Sequence, residues 1–329
     1  MMNTIGTILS LTTFGESHGP AMGGVLDGMP AGVDIDLEKL QQFVDRRRTG
    51  QTTGSSSRDE KDRVEVLSGI WQGKTLGTPI GFVMRNTDAH SEDYKELAKV
   101  YRPNHADFTY QAKYGIRDPR GGGRASARET VARVVAGGIA LQALSSLGIS
   151  IEARIEGAAD LEQSISQANS QGDTLGGIVV CTVKGVPAGL GEPVFGKLHA
   201  QLAAAMMSIP SLHGFEYGDG FEMAGKRGSE VMDVFDKRPD GSIGTVTNHS
   251  GGIQGGISNG EDIIMRIAFK PVPTLMRPVN TVDLDGNAVV LQPRGRHDVC
   301  VIPRALPIVE AMAALVILDA YLLNKTNRL

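Results

Sequence analysis

Residues 15–19 read Gly-Glu-Ser-His-Gly and match the G-x-S-x-G spacing of a serine-hydrolase nucleophile. In such enzymes the serine follows a strand and is followed directly by a helix. Here Pro20, Gly23 and Gly24 come next, and they disfavour a helix. The pattern therefore argues against Ser17 as a nucleophile and leaves His18 as the candidate for acid–base chemistry.

Arginines in glycine-rich loops predict a site for anions. In residues 121–130, GGGRASARET, three glycines let the backbone approach a ligand. A helix that begins here presents free N–H groups and the positive end of its dipole, and Arg124 and Arg128 add bidentate donors. We expect Arg46 and Arg48 to be solvated charges. Other arginines in comparable loops are Arg47, Arg102, Arg117, Arg120, Arg294 and Arg296.

His18, His105 and the pair His297-Asp298, which follows Arg296, could move protons on an anionic substrate. A metal site is not predicted, because no histidine pair has the spacing of helix-borne ligands and no acidic cluster accompanies them. Residues 251–256, GGIQGG, lack the strand–helix context of a dinucleotide fingerprint. From the residues alone, the chain is expected to be an enzyme that acts on a small, multiply anionic substrate.

The composition fits a soluble enzyme with one large domain or two ordinary ones. The chain has 329 residues, 41% of them hydrophobic, and a formal net charge of −4, so nothing indicates nucleic acid or a membrane as a partner. Cys181 and Cys300 lie in apolar runs and are typical of a reducing compartment, which predicts a cytoplasmic protein without a secretory leader. The apolar segment 311–323 contains Asp319 and predicts a buried helix.

The elements that must position these residues are strands and helices in alternation. Strands are expected over 4–16 and 23–27, and again around the glycine-rich turn within 64–86. Residues 34–48 predict a helix with Leu37, Leu40 and Val44 on one face. A long helix is expected over 124–144, with Ser126 and Glu129 spaced as a capping box. Two further long helices are predicted over 191–209 and 303–323.

An internal repeat predicts that two similar α/β layers pack through their helices. Two pairs of segments share a constant offset of 157 residues, and a third G-I-x-x-G-x-x-x-G-x-x-I pair follows in the same order. Where the first copy has Ser17 and His18, the second has Thr174 and Leu175, so His18 is not needed merely to form the turn. The paired segments are 15–19 with 172–176, 28–32 with 185–189, and 69–80 with 252–263.

Three long segments resemble the signature regions of the chorismate synthase family, and the resemblance covers nearly the whole chain. They are GESHGPAMGGVLDGMPAG at 15–32, RPNHADFTYQAKYGIRDPRGGGRASARETVARV at 102–134 and GRHDVCVIPRALPIVEAM at 295–312. The shorter stretches DRRRTG, GVPAGLGEPVF, GDGF and NHSGGIQGGISNG match the same family pattern in order.

The resemblance implies the last step of the shikimate pathway. The phosphate of 5-O-(1-carboxyvinyl)-3-phosphoshikimate leaves with a C6 hydrogen in a 1,4-anti elimination that gives chorismate. Family members need reduced FMN and are usually homotetramers. The implied fold class is α/β (α+β), a β-α-β sandwich with two sheets packed around core helices. We therefore expect a single domain over residues 1–329 that is duplicated at about 1–150 and 151–329.

The resemblance also assigns roles to residues. His18, His105 and Asp298 are the catalytic candidates, and Ser17 becomes a hydrogen-bond donor to substrate. The other implied substrate-binding residues are Arg47, Arg102, Arg128 and Arg296. The implied FMN contacts are Arg124, Ala125, Ser126, Pro210, Ser211, Gly255, Lys270, Pro271, Val272, Pro273, Thr274 and Arg296.

Two departures from the family pattern and one alternative stay open. Ala125 stands where serine is common, and Thr53 stands where many members have arginine, which leaves a contact to NADPH there undecided. No separate reductase domain is apparent, so an external flavin reductant is expected. The alternative function is a flavin- or phosphate-binding protein without catalysis, which would bind FMN and release no phosphate.

Overall fold

Antiparallel sheets and six α-helices make up the regular structure of the described residues. The computed structural model describes residues 3–48, 61–87, 97–292 and 298–327. The helices are α1 Leu37–Asp45, α2 Asp107–Tyr114, α3 Thr130–Ser146, α4 Leu161–Ser170, α5 Leu198–Met207 and α6 Ile302–Asn324.

Two sheets carry most of the strands. The first has the order β1-β2-β3-β7-β4 and the second the order β10-β15-β9-β8, with antiparallel pairing throughout. The strands of the first sheet are β1 Thr4–Ile5, β2 Ser10–Gly15, β3 Ala21–Asp27, β4 Glu65–Val66 and β7 Ile80–Arg85. Those of the second are β8 Ser150–Ile155, β9 Gly177–Lys184, β10 Leu212–Tyr217 and β15 Ile263–Phe269.

Four two-stranded ribbons complete the strands. They are β5 Ile70–Trp71 with β6 Lys74–Thr75, β11 Phe235–Lys237 with β12 Ile243–Thr245, β13 Ile253–Gln254 with β14 Ile257–Ser258, and β16 Val279–Val282 with β17 Ala288–Leu291. In β15 every second side chain is buried, as the period of two in a strand requires when one face packs on a core.

The helices α3 and α6 form the centre of the core. α3 contacts β2 and β3 of the first sheet, α6 contacts β8 and β9 of the second, and the two helices pack on each other. Gly137 makes this contact close, because a Cβ there would lie 2.3 Å from Cα of Ala311. The mixed α/β composition expected from the sequence is thereby confirmed.

α6 is apolar on all sides, as a helix buried in a core must be. Among the described helices it alone has the length and hydropathy of a membrane span, but 78% of the apolar window is buried inside the fold. Its charged residues are paired. Asp319 accepts hydrogen bonds from the backbone amides of Thr7, Ile8 and Leu9 at 2.8–2.9 Å. The prediction of a buried helix is confirmed.

Both halves of the chain run through the same order of elements. The first half proceeds through β2, β3, α1, β4, the β5–β6 ribbon, β7 and α3. The second proceeds through β8, β9, α5, β10, the β13–β14 ribbon, β15 and α6, with other elements inserted. The strands also neighbour one another in matching order, β2-β3-β7-β4 and β8-β9-β15-β10.

One side-chain contact also occurs in the same form in each half. Thr75 Oγ1 donates to the Pro30 carbonyl at 2.6 Å and accepts from the Val33 amide at 2.9 Å. In the second half the hydroxyl of Ser258 makes the same two bonds to the Pro187 carbonyl and the Leu190 amide, at 2.6 and 2.9 Å. We call each hydroxyl with its two backbone partners a hydroxyl clip; it holds a ribbon against the turn that follows β3 or β9.

Three sequence predictions about helices are wrong in detail. Leu37 is half-exposed, and only Leu40 and Val44 are buried on α1. α3 begins at Thr130, directly after a 3₁₀ turn over Ala127–Glu129 that Ser126 caps by accepting from the Arg128 amide at 3.3 Å; Glu129 bonds Thr13 and Arg133 and so does not close a capping box. The helix predicted over 191–209 begins only at Leu198, since Gly191 pairs with Ile257 across an isolated β-bridge.

The expectation that Arg46 is a solvated charge holds only in part, because its side chain is 46% exposed but also forms an ion pair. Its guanidinium pairs with both carboxylate oxygens of the buried Glu310, at 2.6 and 3.0 Å. Glu310 also accepts from the Ala153 amide at 3.0 Å. The pair therefore joins the end of α1 to α6 and the second sheet.

Candidate active site

A cavity of about 400 Å³ lies between the two halves of the fold. Its wall comes from the end of α1, the glycine-rich loop before α3, the segment after α5, the segment after β15 and the start of α6. The predicted site residues on this wall are Arg47, Arg102, His105, Ala125, Ser126, Arg128, Pro210, Ser211, Lys270, Val272, Pro273, Thr274 and Asp298.

The glycine-rich loop passes directly over Ser17 and His18. Gly121, Gly122 and Gly123 all have positive φ, a backbone region that glycine tolerates. A Cβ at Gly121 would lie 2.4 Å from His18 Nδ1 and 2.8 Å from Ser17 Oγ. Gly121 lines the cavity, so Ser17 and His18 lie immediately behind one glycine of its wall.

Ser17 and His18 also contact each other. Ser17 Oγ lies 3.2 Å from His18 Nδ1, and it donates to the Arg120 carbonyl at 3.4 Å. Ser17 is fully buried and His18 is partly buried. This places a hydroxyl and an imidazole beside the loop that precedes α3.

Asp62 joins two of the predicted anion-binding arginines. Its side chain is 1% exposed, and the side chains of Arg47 and Arg128 are 2% and 5% exposed. One carboxylate oxygen lies 3.6 Å from Arg47 Nη1, and the other accepts a short hydrogen bond from Arg128 Nη1. Arg128 Nη2 is buried without a hydrogen-bond partner among the described residues, so this nitrogen is available to a ligand in the cavity.

Asp107 plays the same part for Arg102 and Arg117. Arg102 donates Nε and Nη2 to its carboxylate at 2.7 and 2.8 Å, and Arg117 Nη1 lies 3.1 Å away. Burial by itself would raise the pKa of Asp107, but the hydrogen bonds and charge of Arg102, with the charge of Arg117, outweigh it and lower that pKa. Two arginines are thus fixed at the cavity by one ionised carboxylate.

Asp298 is held by an arginine that the sequence did not single out. Arg304 donates Nη1 to Asp298 Oδ2 at 2.5 Å and Nε to the Arg47 carbonyl at 3.0 Å. The pair connects the start of α6 with the end of α1. Asp298 therefore faces the cavity in a defined orientation.

His105 and Lys270 also line the cavity. His105 Nε2 lies 3.0 Å from Thr274 Oγ1, and Lys270 Nζ donates to the Asn104 carbonyl at 3.0 Å. Ser211 accepts from the Lys270 amide at 2.9 Å and has a φ of 71°. The predicted segments around 105, 211 and 270–274 are thus brought together.

A second lobe of about 320 Å³ adjoins these segments and shares Arg102, His105 and Lys270 with the main cavity. Most of its remaining wall is apolar, with Leu97, Pro271, Leu275, Val279 and Leu291. An apolar wall next to cations suits a ligand with a flat apolar part and an anionic part.

Charges near the loop 16–19 are balanced locally. Burial raises the pKa of Glu16, and the charge of Arg124 offsets only part of that effect. Hydrogen bonds from Arg120 lower the pKa of Asp118, against the effect of burial. Arg120 is half-exposed and occupied by this carboxylate.

Some predicted residues lie off the cavity wall. Arg124 donates to Thr13 Oγ1 at 2.7 Å and so points toward β2. Gly255 lies in the turn of the β13–β14 ribbon. Arg296, like Thr53 and Arg294, lies outside the described residues.

Sequence reasoning missed the partners of the arginines. Asp62 and Asn86 lie outside the family segments, and Asp107 and Arg304 lie within the segments 102–134 and 295–312 but were assigned no role there. The only signal that could have found them is the requirement that a buried guanidinium has a counter-charge or a hydrogen-bond acceptor.

Comparisons with known proteins give a consistent result. A family model described as chorismate synthase matches residues 9–322. Chorismate synthases of Parabacteroides distasonis and Bacteroides fragilis are each 52% identical to the chain; the alignments cover 99% of both chains in the first case and 100% in the second. A solved crystal structure of chorismate synthase has a TM-score of 0.77 and 29% identity, and the match covers 97% of this chain and 93% of that one.

Proposed function

Because the chain belongs to the chorismate synthase family, we propose that its cavity catalyses that family's elimination on 5-O-(1-carboxyvinyl)-3-phosphoshikimate. The C3–O bond breaks, the phosphate keeps the bonding electrons, the C6 hydrogen is lost, and chorismate forms without net redox change. The enzyme class is carbon–oxygen lyase. The observation that supports the proposal most is the single cavity lined by Arg47, Arg102 and Arg128 together with His105 and Asp298.

The substrate carries two carboxylates and a phosphate, and these arginines would bind them. Each charge-assisted hydrogen bond contributes about 1.5–3 kcal/mol. Arg128 is the best placed to accept a new partner, because its Nη2 is buried and unbonded among the described residues. Arg296 is proposed as a fourth cation on the basis of the family pattern alone.

The protons would be handled by three groups. We assign to His18 the donation of a proton to the departing phosphate, with Ser17 as a hydrogen-bond donor to substrate. His105 would keep the reduced cofactor correctly protonated, and Asp298 would assist the loss of the C6 hydrogen. Donors fixed before the reaction stabilise charge as it develops, because they need no reorganisation in the transition state.

The residues also fit reduced FMN. The apolar second lobe suits a flat ring, and Lys270 beside it suits a phosphate. The residues that would hold the group are Ala125, Ser126, Pro210, Ser211, Lys270, Pro271, Val272, Pro273 and Thr274. When bound, reduced FMN would supply electron density to the developing positive charge and an acceptor for the C6 hydrogen.

The test is phosphate release under anaerobic conditions. We expect purified protein to release phosphate and form chorismate with reduced FMN, and to leave the substrate intact with oxidised FMN or none. A protein that binds FMN but leaves the substrate intact with the reduced cofactor would be a binding protein, and the proposal would fail.

The family resemblance supports further proposals about assembly and location. We propose a cytoplasmic homotetramer supplied with reduced flavin by an external reductant; light scattering on purified protein measures the assembly. We also propose that the fold is a duplicated β-α-β sandwich, supported by the matching strand orders of the two sheets. Both hydroxyl clips support the same duplication.

A further inference from the structure

Asn86, directly after β7, connects the loop of residues 16–19 to the arginine cluster. Its Nδ2 donates to the carbonyls of Glu16 at 3.1 Å and Gly19 at 2.7 Å. Its Oδ1 accepts from Arg128 Nε at 3.0 Å. One side chain therefore contacts both ends of the loop that carries His18 and also one of the arginines proposed to bind the anionic substrate.

A side-chain amide is the group that this place requires. The two carbonyls can only accept hydrogen bonds and the Arg128 Nε–H can only donate one, so the amide has a single satisfactory orientation. A carboxylate would keep the bond from Arg128 and lose both bonds to the loop. An alanine would lose all three.

The fold itself does not require an amide here. Ala21 pairs with Arg85 in the first sheet, and Ile178, its counterpart at the offset of 157 residues, pairs with Ala268 in the second. The residue that corresponds to Asn86 is therefore Phe269, which is buried. The half that lacks a Ser-His loop also lacks the amide that would hold one.

We propose that Asn86 is a positioning residue for the elimination, one that fixes His18 relative to Arg128; the proposal rests on the function proposed above. The hydrogen bonds run from Asp62 through Arg128 and Asn86 to the loop 16–19. The proposed proton donor and a proposed substrate-binding arginine are thereby joined by one chain of hydrogen bonds. Misplacing a catalytic group by about 1 Å can cost about 10²-fold in rate. The hydrogen bonds that Asn86 makes to the loop 16–19 and to Arg128 should therefore affect kcat.

The first test compares Asn86→Ala and Asn86→Asp with Gln142→Ala. Gln142 is the matched control, because its side chain also bridges backbone groups: it accepts from the Asp36 amide at 2.7 Å and donates to the Asp36 carbonyl at 3.1 Å, away from the cavity. We expect kcat to fall by about 10–10²-fold in both Asn86 variants and to stay unchanged in Gln142→Ala. Wild-type kcat in either Asn86 variant overturns the proposal.

The second test needs no turnover. In protein labelled at histidine, the ring signal of His18, assigned with a His18→Gln variant, should shift in both Asn86 variants while the other histidine signals stay in place. If the His18 signal does not move in the Asn86 variants, Asn86 does not position His18, and the proposal is overturned even when the enzyme is active. A wild-type protein without phosphate release overturns the proposed function instead, and the histidine spectra still decide the role of Asn86.

Discussion

The loops 15–19 and 172–176 occupy corresponding places in the two halves but do different work. The first carries Ser17 and His18 behind Gly121 of the cavity wall. In the second, Thr174 donates to the Val272 carbonyl at 2.7 Å, and the Leu175 amide donates to the Val299 carbonyl at 2.9 Å. One loop supplies groups with acid–base chemistry, and the other secures segments that border the site.

The scaffold beneath both loops is nevertheless alike. The hydroxyl clips agree in both bond lengths, and the backbone also agrees: the Gly32 amide donates to the Thr75 carbonyl at 2.8 Å, and the Gly189 amide donates to the Ser258 carbonyl at 2.9 Å. Ser17 and His18 therefore stand on a hydrogen-bond framework that the second half also makes, with Thr174 and Leu175 in their places. Variants made in matched pairs can test that separation.

The largest difference is expected between His18→Ala and Leu175→Ala. The first should lower turnover by about 10²–10⁴-fold without a change in thermal unfolding, because it removes an acid–base group. The second should lower the midpoint of thermal unfolding and leave turnover intact, since Leu175 packs against the core. Anaerobic phosphate release and thermal melts measure both, and a His18→Ala enzyme as fast as wild type would erase the distinction.

The next difference concerns acidic residues that pair with arginine. Asp62→Asn removes the carboxylate shared by two buried guanidinium groups and should lower the free energy of unfolding by about 3–5 kcal/mol. Asp173→Asn, in the second loop, breaks an exposed pair with Arg277 and should cost about 1 kcal/mol or less. Urea denaturation compares the two, and equal losses would contradict the burial argument.

The hydroxyl clips should respond equally. Thr75→Val and Ser258→Ala each remove the hydroxyl of a buried residue and leave a backbone carbonyl and a backbone amide of the turn without their partner. We expect a loss of about 1–3 kcal/mol in unfolding free energy for both. A large loss in one variant with none in the other would show that the two contacts are alike in geometry only.

The smallest effect is the pH dependence of stability that Asp107 contributes in the first half. The pKa of Asp107 is lowered in the fold, so its contribution to stability is complete above its unfolded value of about 3.9 and is lost as the pH falls through the folded value. Urea midpoints should therefore fall on acidification below about pH 4, and less steeply in Asp107→Asn. If the urea midpoints of the wild type and Asp107→Asn fall equally with pH, Asp107 does not contribute to the acid sensitivity.

The sequence predicted the elements and the chemical residues better than it predicted their neighbours. The repeat and the family motifs locate His18, His105 and Arg128 because each belongs to a recognisable segment. Asp62 and Asn86 have no such mark: their importance comes from a guanidinium that approaches them only after folding. The spacing of Ser126 and Glu129 also predicted a capping box that does not form, because Glu129 bonds Thr13 and Arg133 instead.

The carboxylate of Asp319 has a consequence for the order in which the chain completes its structure. Asp319 is synthesised 312 positions after Thr7, and its carboxylate accepts hydrogen bonds from the backbone amides of Thr7, Ile8 and Leu9. During translation, the turn that precedes β2 must wait until residue 319 has left the ribosome before its donors are satisfied. A segment that is synthesised 310 residues before its partner therefore reaches its final arrangement only after that partner is made.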